Sequence, residues 1–176
     1  MIESEKNFIA KPEKPPVLFH ASRSPDIKVF EPRAEKVRNS NEGPKVFATP
    51  SRAMASIFLV ENDDSWTQSG TIEDVPYIVI SDKERFLNLD KGGLVYSLPS
   101  DTFENNPEEG LGDLEWTSDK KVVPIGQEFV PSALIDMIKN GVKVYFVNES
   151  QFHEIQNASD QGRSIIDSLT PEQFAS

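Results

Sequence analysis

The chain has two histidines and no cysteine among 176 residues, so any chemistry needing an imidazole falls on one of two positions. One of them, His20, comes near the end of the apolar run "VLFHA" and is followed by two small residues, Ala21 and Ser22, and then by Arg23. A strand alternates its side chains between faces. Leu18, His20 and Ser22 therefore share one face, and Val17, Phe19 and Ala21 the other. Small residues directly after the histidine let a ligand approach the backbone. The guanidinium that follows can grip a phosphate through two parallel hydrogen bonds. The plainer alternative is a strand-end histidine that bonds a nearby carbonyl and does nothing else. The second histidine, His153, lies in a polar tail and reads as an ordinary surface residue.

Composition removes several function classes. Without cysteine there is no disulfide, thiolate metal site or cysteine nucleophile. Two histidines make a histidine-rich metal cluster unexpected, so no metal is expected. With 29 acidic and 18 basic residues, the net charge is −11. Such a field repels nucleic acid at long range and favours solubility, so DNA is not an expected partner. It leaves room for a local basic pocket that takes an anionic small molecule. The opening "MIESEKNFIAKPEKPP" lacks the basic and apolar regions of a signal peptide. No apolar run approaches the ~20 residues of a membrane span. The expectation is a soluble, cytoplasmic protein without a membrane partner.

The elements that must position His20 are short. Residues 1–16, with Pro12, Pro15 and Pro16, read as a loose lead-in. Residues 17–150 read as one domain, and 151–176 as a C-terminal tail, polar apart from "SIIDSL" and partly helical or mobile. The runs "VLFHA", "KVFAT", "VPYIVI", "LVYSL", "DLEWT", "VVPI" and "VKVYFV" read as strands. Pro76 puts "VPYIVI" at a sheet edge, or starts that strand just after the proline. "TPSRAMASIFLV" reads as a helix with Thr49 as N-cap and Pro50 at its first position. "PSALIDMIKNG" reads as a second helix, capped by Ser132 and stopped at Asn140-Gly141. Segments 61–74 and 104–112 read as acidic, polar loops, either mobile lids or plain connections. Many strands and a few helices give an α+β class with a mostly antiparallel, split sheet.

The pieces "FHAS" (19–22) and "VFATPSRAMA" (46–55) together resemble the ADP-ribosyltransferase-like fold. The likeness is to its diphtheria-toxin-type branch, with the poly-ADP-ribose polymerases and the small rifampin-modifying transferases. That branch carries a strand ending in His-Gly-Thr or His-Gly-Ser, then a strand like Tyr-Phe-Ala that runs into an alanine-bearing helix. The stretch "LEWTSDKKVVPI" (114–125) is similar to the Glu-Trp-x-Ser strand of small bacterial and phage proteins with a His-Gly-Ser start. The resemblance covers roughly residues 17–130, by order and spacing more than by identity.

It implies NAD as substrate and transfer of ADP-ribose to an acceptor it does not name, a protein or a small molecule. It implies His20 as the ribose-binding histidine, Ala21 as the backbone that reads the nicotinamide amide, and Ser22 as the small hydroxyl after it. Glu115 is the implied catalytic carboxylate, and an aromatic at Phe47 would stack on the nicotinamide. Strand alternation puts Glu115 on a face with Asp113 and Thr117, opposite Leu114 and Trp116. A glutamate facing solvent on a half-buried strand is the alternative, and Glu128 is a rival carboxylate. Arg23 and Arg52 are the nearest candidates for pyrophosphate contacts, against a solvated-surface reading for each. Trp66 and Trp116 read as packing residues, and "EPR" at 31–33 as a turn with a solvated arginine.

Two departures bear on activity. Ala21 stands where the family has glycine. The family's tyrosine is missing, its place held by Phe47 or Val46. A catalytically inactive binding module of the same fold is therefore the second reading. A tRNA 2'-phosphotransferase-type use comes third, since a −11 chain suits a polyanionic RNA badly.

Overall fold

The computed structural model describes residues 13–33, 43–105, 107 and 112–173. Most of the expected lead-in, part of the 104–112 loop and the last three residues lie outside the described residues. The architecture is α+β, with three small sheets and five α-helices among the described residues. One sheet orders β1 (Val17–Ser22), β5 (Gly93–Pro99) and β8 (Gly126–Val130). A second orders β2 (Val46–Ala48), β7 (Trp116–Ser118) and β6 (Glu104–Asn105). The third orders β3 (Thr67–Ile72), β4 (Val75–Ile80) and β9 (Lys143–Phe146). Strand pairs are antiparallel except β4 with β9, which is parallel.

Period-two alternation assigns the cores. Along β5, Val95 enters one apolar cluster with Met54, Ile57, Phe86 and Met137, while Leu94, Tyr96 and Leu98 enter another with Leu18, Phe103 and Trp116. Along β4, Ile78 and Ile80 join the first cluster, and Tyr77 and Val79 a third with Tyr145, Phe152 and Ile155. All four of these β4 residues are buried, which explains why the strand reads as an unbroken apolar run.

β4 is the central strand of its sheet, so of the two readings of Pro76 the sheet edge does not hold. The proline pairs only with Thr71 of β3, and the β9 ladder begins one residue later at Tyr77, so no hydrogen bond on that side is lost. β3 itself lies in the segment expected to be loop. It is an edge strand of polar residues whose hairpin to β4 turns on Glu73 and Asp74, both left-handed at φ 51° and 65°. That is the backbone a two-residue hairpin with the right twist demands. "VVPI" contributes a single bridge, Phe30 with Val122, and not a strand.

Helix α1 (Arg52–Ile57) starts later than expected. Thr49 cannot cap it, because its backbone is held extended by two hydrogen bonds to Phe19, at 2.7 and 3.0 Å. Ser51 is the cap, its hydroxyl accepting from Met54 N at 3.0 Å. Helix α2 spans Lys83–Leu89, and α3 (Ala133–Lys139) begins at Ser132 as expected. The Asp90 carboxylate, just after α2, accepts from Ala133 N at 2.7 Å, Leu134 N at 3.0 Å and the Ser132 hydroxyl at 3.1 Å. A carboxylate on the orphan N–H groups of a helix start complements the dipole there.

Helix α4 (Glu149–Asn157) carries a reciprocal capping box between Asn148 and Gln151, and α5 (Arg163–Asp167) follows. Phe152, Ile155 and Ile166 are at most 1% exposed against β4 and β9, so residues 149–167 are packed into the domain. No helix among the described residues is long and apolar enough to cross a membrane.

Candidate functional site

β1 and β2 meet at one point. Phe19 and Thr49 form a bridge, and beyond it the two strands diverge toward different sheets. Across that divergence His20 Nδ1 donates to the carbonyl oxygen of Phe47 at 2.6 Å. A carbonyl oxygen can only accept, so Nδ1 carries a proton, and in its neutral form the ring has Nε2 as its accepting nitrogen. The edge of the ring system packs against Phe30, centroids 4.8 Å apart at 61°. His20 is thus both the carbonyl-bonded strand residue of the plainer reading and a wall of the cleft that opens here.

The cleft holds about 870 Å³, toward the upper end of the range for small-molecule sites. His20, Ala21, Ser22 and Arg23 form one wall, from the end of β1. Phe47, Ala48 and Thr49 come from β2 and its continuation, Leu114 and Glu115 from the approach to β7, and Phe58 and Glu61 from beyond α1.

Phe47 is half-buried and lines the cleft, whereas Val46 is 4% exposed and belongs to the apolar core. Of the two residues able to hold the family's tyrosine position, Phe47 is the one at the cleft. Opposite it in the ladder is Thr117, and Glu115 lies two residues before Thr117. Glu115 lines the same cleft as Phe47, whereas its neighbour Trp116 belongs to the core.

Glu115 is only 5% exposed, so the solvent-facing alternative does not describe it. The expected sharing of a face with Asp113 fails, because residues Gly112–Leu114 form a 3₁₀ turn that delivers Glu115 to the strand. Its amide donates to Gly112 O at 3.0 Å, and the Asn105 side-chain amide donates to its carbonyl at 3.1 Å. The backbone beneath the carboxylate is therefore fixed.

Arg23 lies at the rim and pairs with Glu61 at 2.9 Å. Ser22 Oγ accepts from Ser24 N at 3.1 Å and closes the turn after β1. Arg52 is not at the cleft. Its guanidinium is held by both carboxylate oxygens of Asp136, at 2.8 and 2.9 Å, and by Glu128 at 3.2 Å, clasping α1 to α3 and β8. Burial acts to lower the Arg52 pKa, and its bonds and attraction to Asp136, then Glu128, outweigh this and hold it above the ordinary value. A cation so engaged has no reach to a ligand in the cleft. Glu128, the rival carboxylate, pairs with Arg52 and does not line the cleft.

Arg33, read as a solvated turn residue, lines the cleft. Its amide donates to Lys45 O at 3.2 Å, which lays the residue beside the lead into β2. Nothing local in "EPR" signals this; only the long-range bridge does. Trp66 and Trp116 are buried packing residues, and His153 is exposed on α4, 3.6 Å from Glu149. Among the described residues no group of three or more His, Cys, Asp or Glu side chains is arranged to hold a metal.

The assembled cleft offers an imidazole with a set tautomer, a phenyl ring, a buried carboxylate and two arginines in a molecule of net charge −11. It has the parts to hold an anionic ligand and to stabilise a developing cation. No protein-family model matches the chain, and neither a curated protein nor a solved structure matches it.

Proposed function

We propose that the chain is an ADP-ribosyltransferase-like enzyme that binds NAD in this cleft and transfers ADP-ribose to an acceptor. One observation carries the reading: His20, Phe47 and Glu115, from three separate segments, line the same cleft. In this reading the bond between the ribose anomeric carbon and the nicotinamide nitrogen breaks, and its electron pair leaves with nicotinamide. The ribose becomes oxocarbenium-like, and the Glu115 carboxylate stabilises that charge more than it stabilises the bound substrate. His20, its Nδ1 hydrogen held by Phe47 O, accepts a hydrogen bond from a hydroxyl of the adenosine-side ribose through Nε2. The Phe47 ring stacks on nicotinamide. An acceptor nucleophile then bonds to the anomeric carbon and gives up its proton to water.

The second reading, a catalytically inactive module of the same fold, is favoured by one specific feature. Phe47 offers the stacking face without the hydroxyl of the family's tyrosine. Calorimetry with NAD, followed by assay of free nicotinamide, separates the two. Binding with release supports the enzyme, and binding without release supports the module. Absence of binding rejects NAD as the ligand of this cleft.

A further inference from the structure

We infer that Glu61 is a specificity-determining residue of the cleft: it occupies the Arg23 guanidinium until a ligand carrying a diphosphate group displaces it. The inference rests on reading the cleft as a nucleotide site and adds what sets its selectivity for ligand charge. Arg23 and Glu61 both line the cleft, and their side chains meet at 2.9 Å while remaining 46% and 80% exposed. An ion pair this exposed is worth little and exchanges readily, so a stronger anion can take the arginine over.

The backbones on both sides are fixed, so the pairing is a built position. Beside Arg23, a Cβ on Gly93 would meet Ser22 O at 2.7 Å and Arg23 Cα at 3.3 Å, which shows how tightly the end of β1 lies on β5. Glu61 lies between buried Val60 and Asn62, whose amide donates to Val60 O at 2.8 Å and whose oxygen accepts from the Thr67 hydroxyl at 2.8 Å.

Arg33 lines the same cleft and has no ion-pair partner among the described residues. The cleft therefore carries two guanidinium groups, one of them paired with Glu61. A monoanion gains little by exchanging one carboxylate for another on Arg23. A diphosphate brings more charge and more acceptor oxygens than the carboxylate it displaces, and the same cleft offers it Arg33 as a second guanidinium. Glu61 thus selects against weakly charged ligands.

Titration of the full chain with inorganic pyrophosphate in a calorimeter at low ionic strength tests this. Glu61→Gln should bind pyrophosphate roughly three- to fivefold tighter than wild type, the scale of an exposed ion pair. Arg33→Gln should bind about tenfold more weakly or worse, as loss of a charged hydrogen-bond donor implies. Both sites are exposed, so both variants should keep the wild-type melting temperature. Wild type that ignores pyrophosphate, Glu61→Gln that binds it no better, or Arg33→Gln that binds it equally well would overturn the inference. Nicotinamide release decides the transfer reading separately. The expected order of affinities without release would keep the subsite and reject the transferase.

Discussion

The imidazole of His20 reaches across the parting of β1 and β2 to the carbonyl oxygen of Phe47, 2.6 Å away. Backbone pairing between the two strands occurs at Phe19 and Thr49, so the side-chain bond extends the junction by one further link. The same bond places the ring at the cleft with a defined tautomer. Position and stability are therefore coupled in one residue.

That coupling can be separated by substitution. His20→Ala removes the bond to Phe47 O and the contact with Phe30, at a cost of roughly 1–2 kcal/mol and a melting temperature lower by several degrees. His20→Asn keeps a donor near the Nδ1 position and removes Nε2. It should recover most of the lost melting temperature while binding NAD as weakly as the alanine variant. Full recovery of NAD binding in His20→Asn would show that the ring acts only as a strut.

Phe47→Tyr adds the hydroxyl that the resembled family carries. The residue is half-buried at the cleft, so denaturant unfolding should change by no more than about 0.5 kcal/mol. Nicotinamide release should stay equal or rise. A loss of roughly 2 kcal/mol or more would mean that the hydroxyl is forced into apolar surroundings without a partner.

Arg52 gives the opposite pattern. Asp136 is 7% exposed and both its oxygens are held by Arg52. Arg52→Gln leaves that carboxylate buried beside a neutral amide, which should cost roughly 2–4 kcal/mol. NAD and pyrophosphate affinity of the folded variant should match wild type. Selective loss of ligand binding at unchanged stability would return Arg52 to the site.

The C-terminal helices are tested by Phe152→Ala. Phe152 is 1% exposed among Tyr77, Val79 and Tyr145, so the cavity should cost about 3–5 kcal/mol in denaturant unfolding. A near-neutral change would mean that α4 is a loosely attached appendage.

The parts of the site that were legible in the sequence are those with local signatures. "FHAS" shows a polar ring and small residues at a strand end, and "VFATP" shows a strand breaking into a helix; both stand where their patterns put them. Ser132 was legible as a cap because a capping hydroxyl acts within three residues. What was not legible depends on partners far away in sequence. Thr49 resembles an N-cap, yet its backbone is committed to Phe19. Arg52 resembles a free cation on a helix, yet Asp136, 84 residues on, neutralises it. Arg33 resembles a solvated turn residue, yet its bridge to Lys45 brings it to the cleft. β3 was hidden because an edge strand with one half-buried face has no need of an apolar run.

The central claim is that Glu115 stabilises a cationic ribose as the nicotinamide bond of NAD breaks. The direct measurement is the rate of nicotinamide release from saturating NAD by wild type and by Glu115→Gln. The substitution keeps size and most hydrogen-bonding capacity and removes the charge. Release by wild type should exceed release by the variant about a hundredfold or more, with NAD affinity nearly unchanged, as when only the transition state loses an interaction. Equal release by the two proteins, or none from wild type, would contradict the claim.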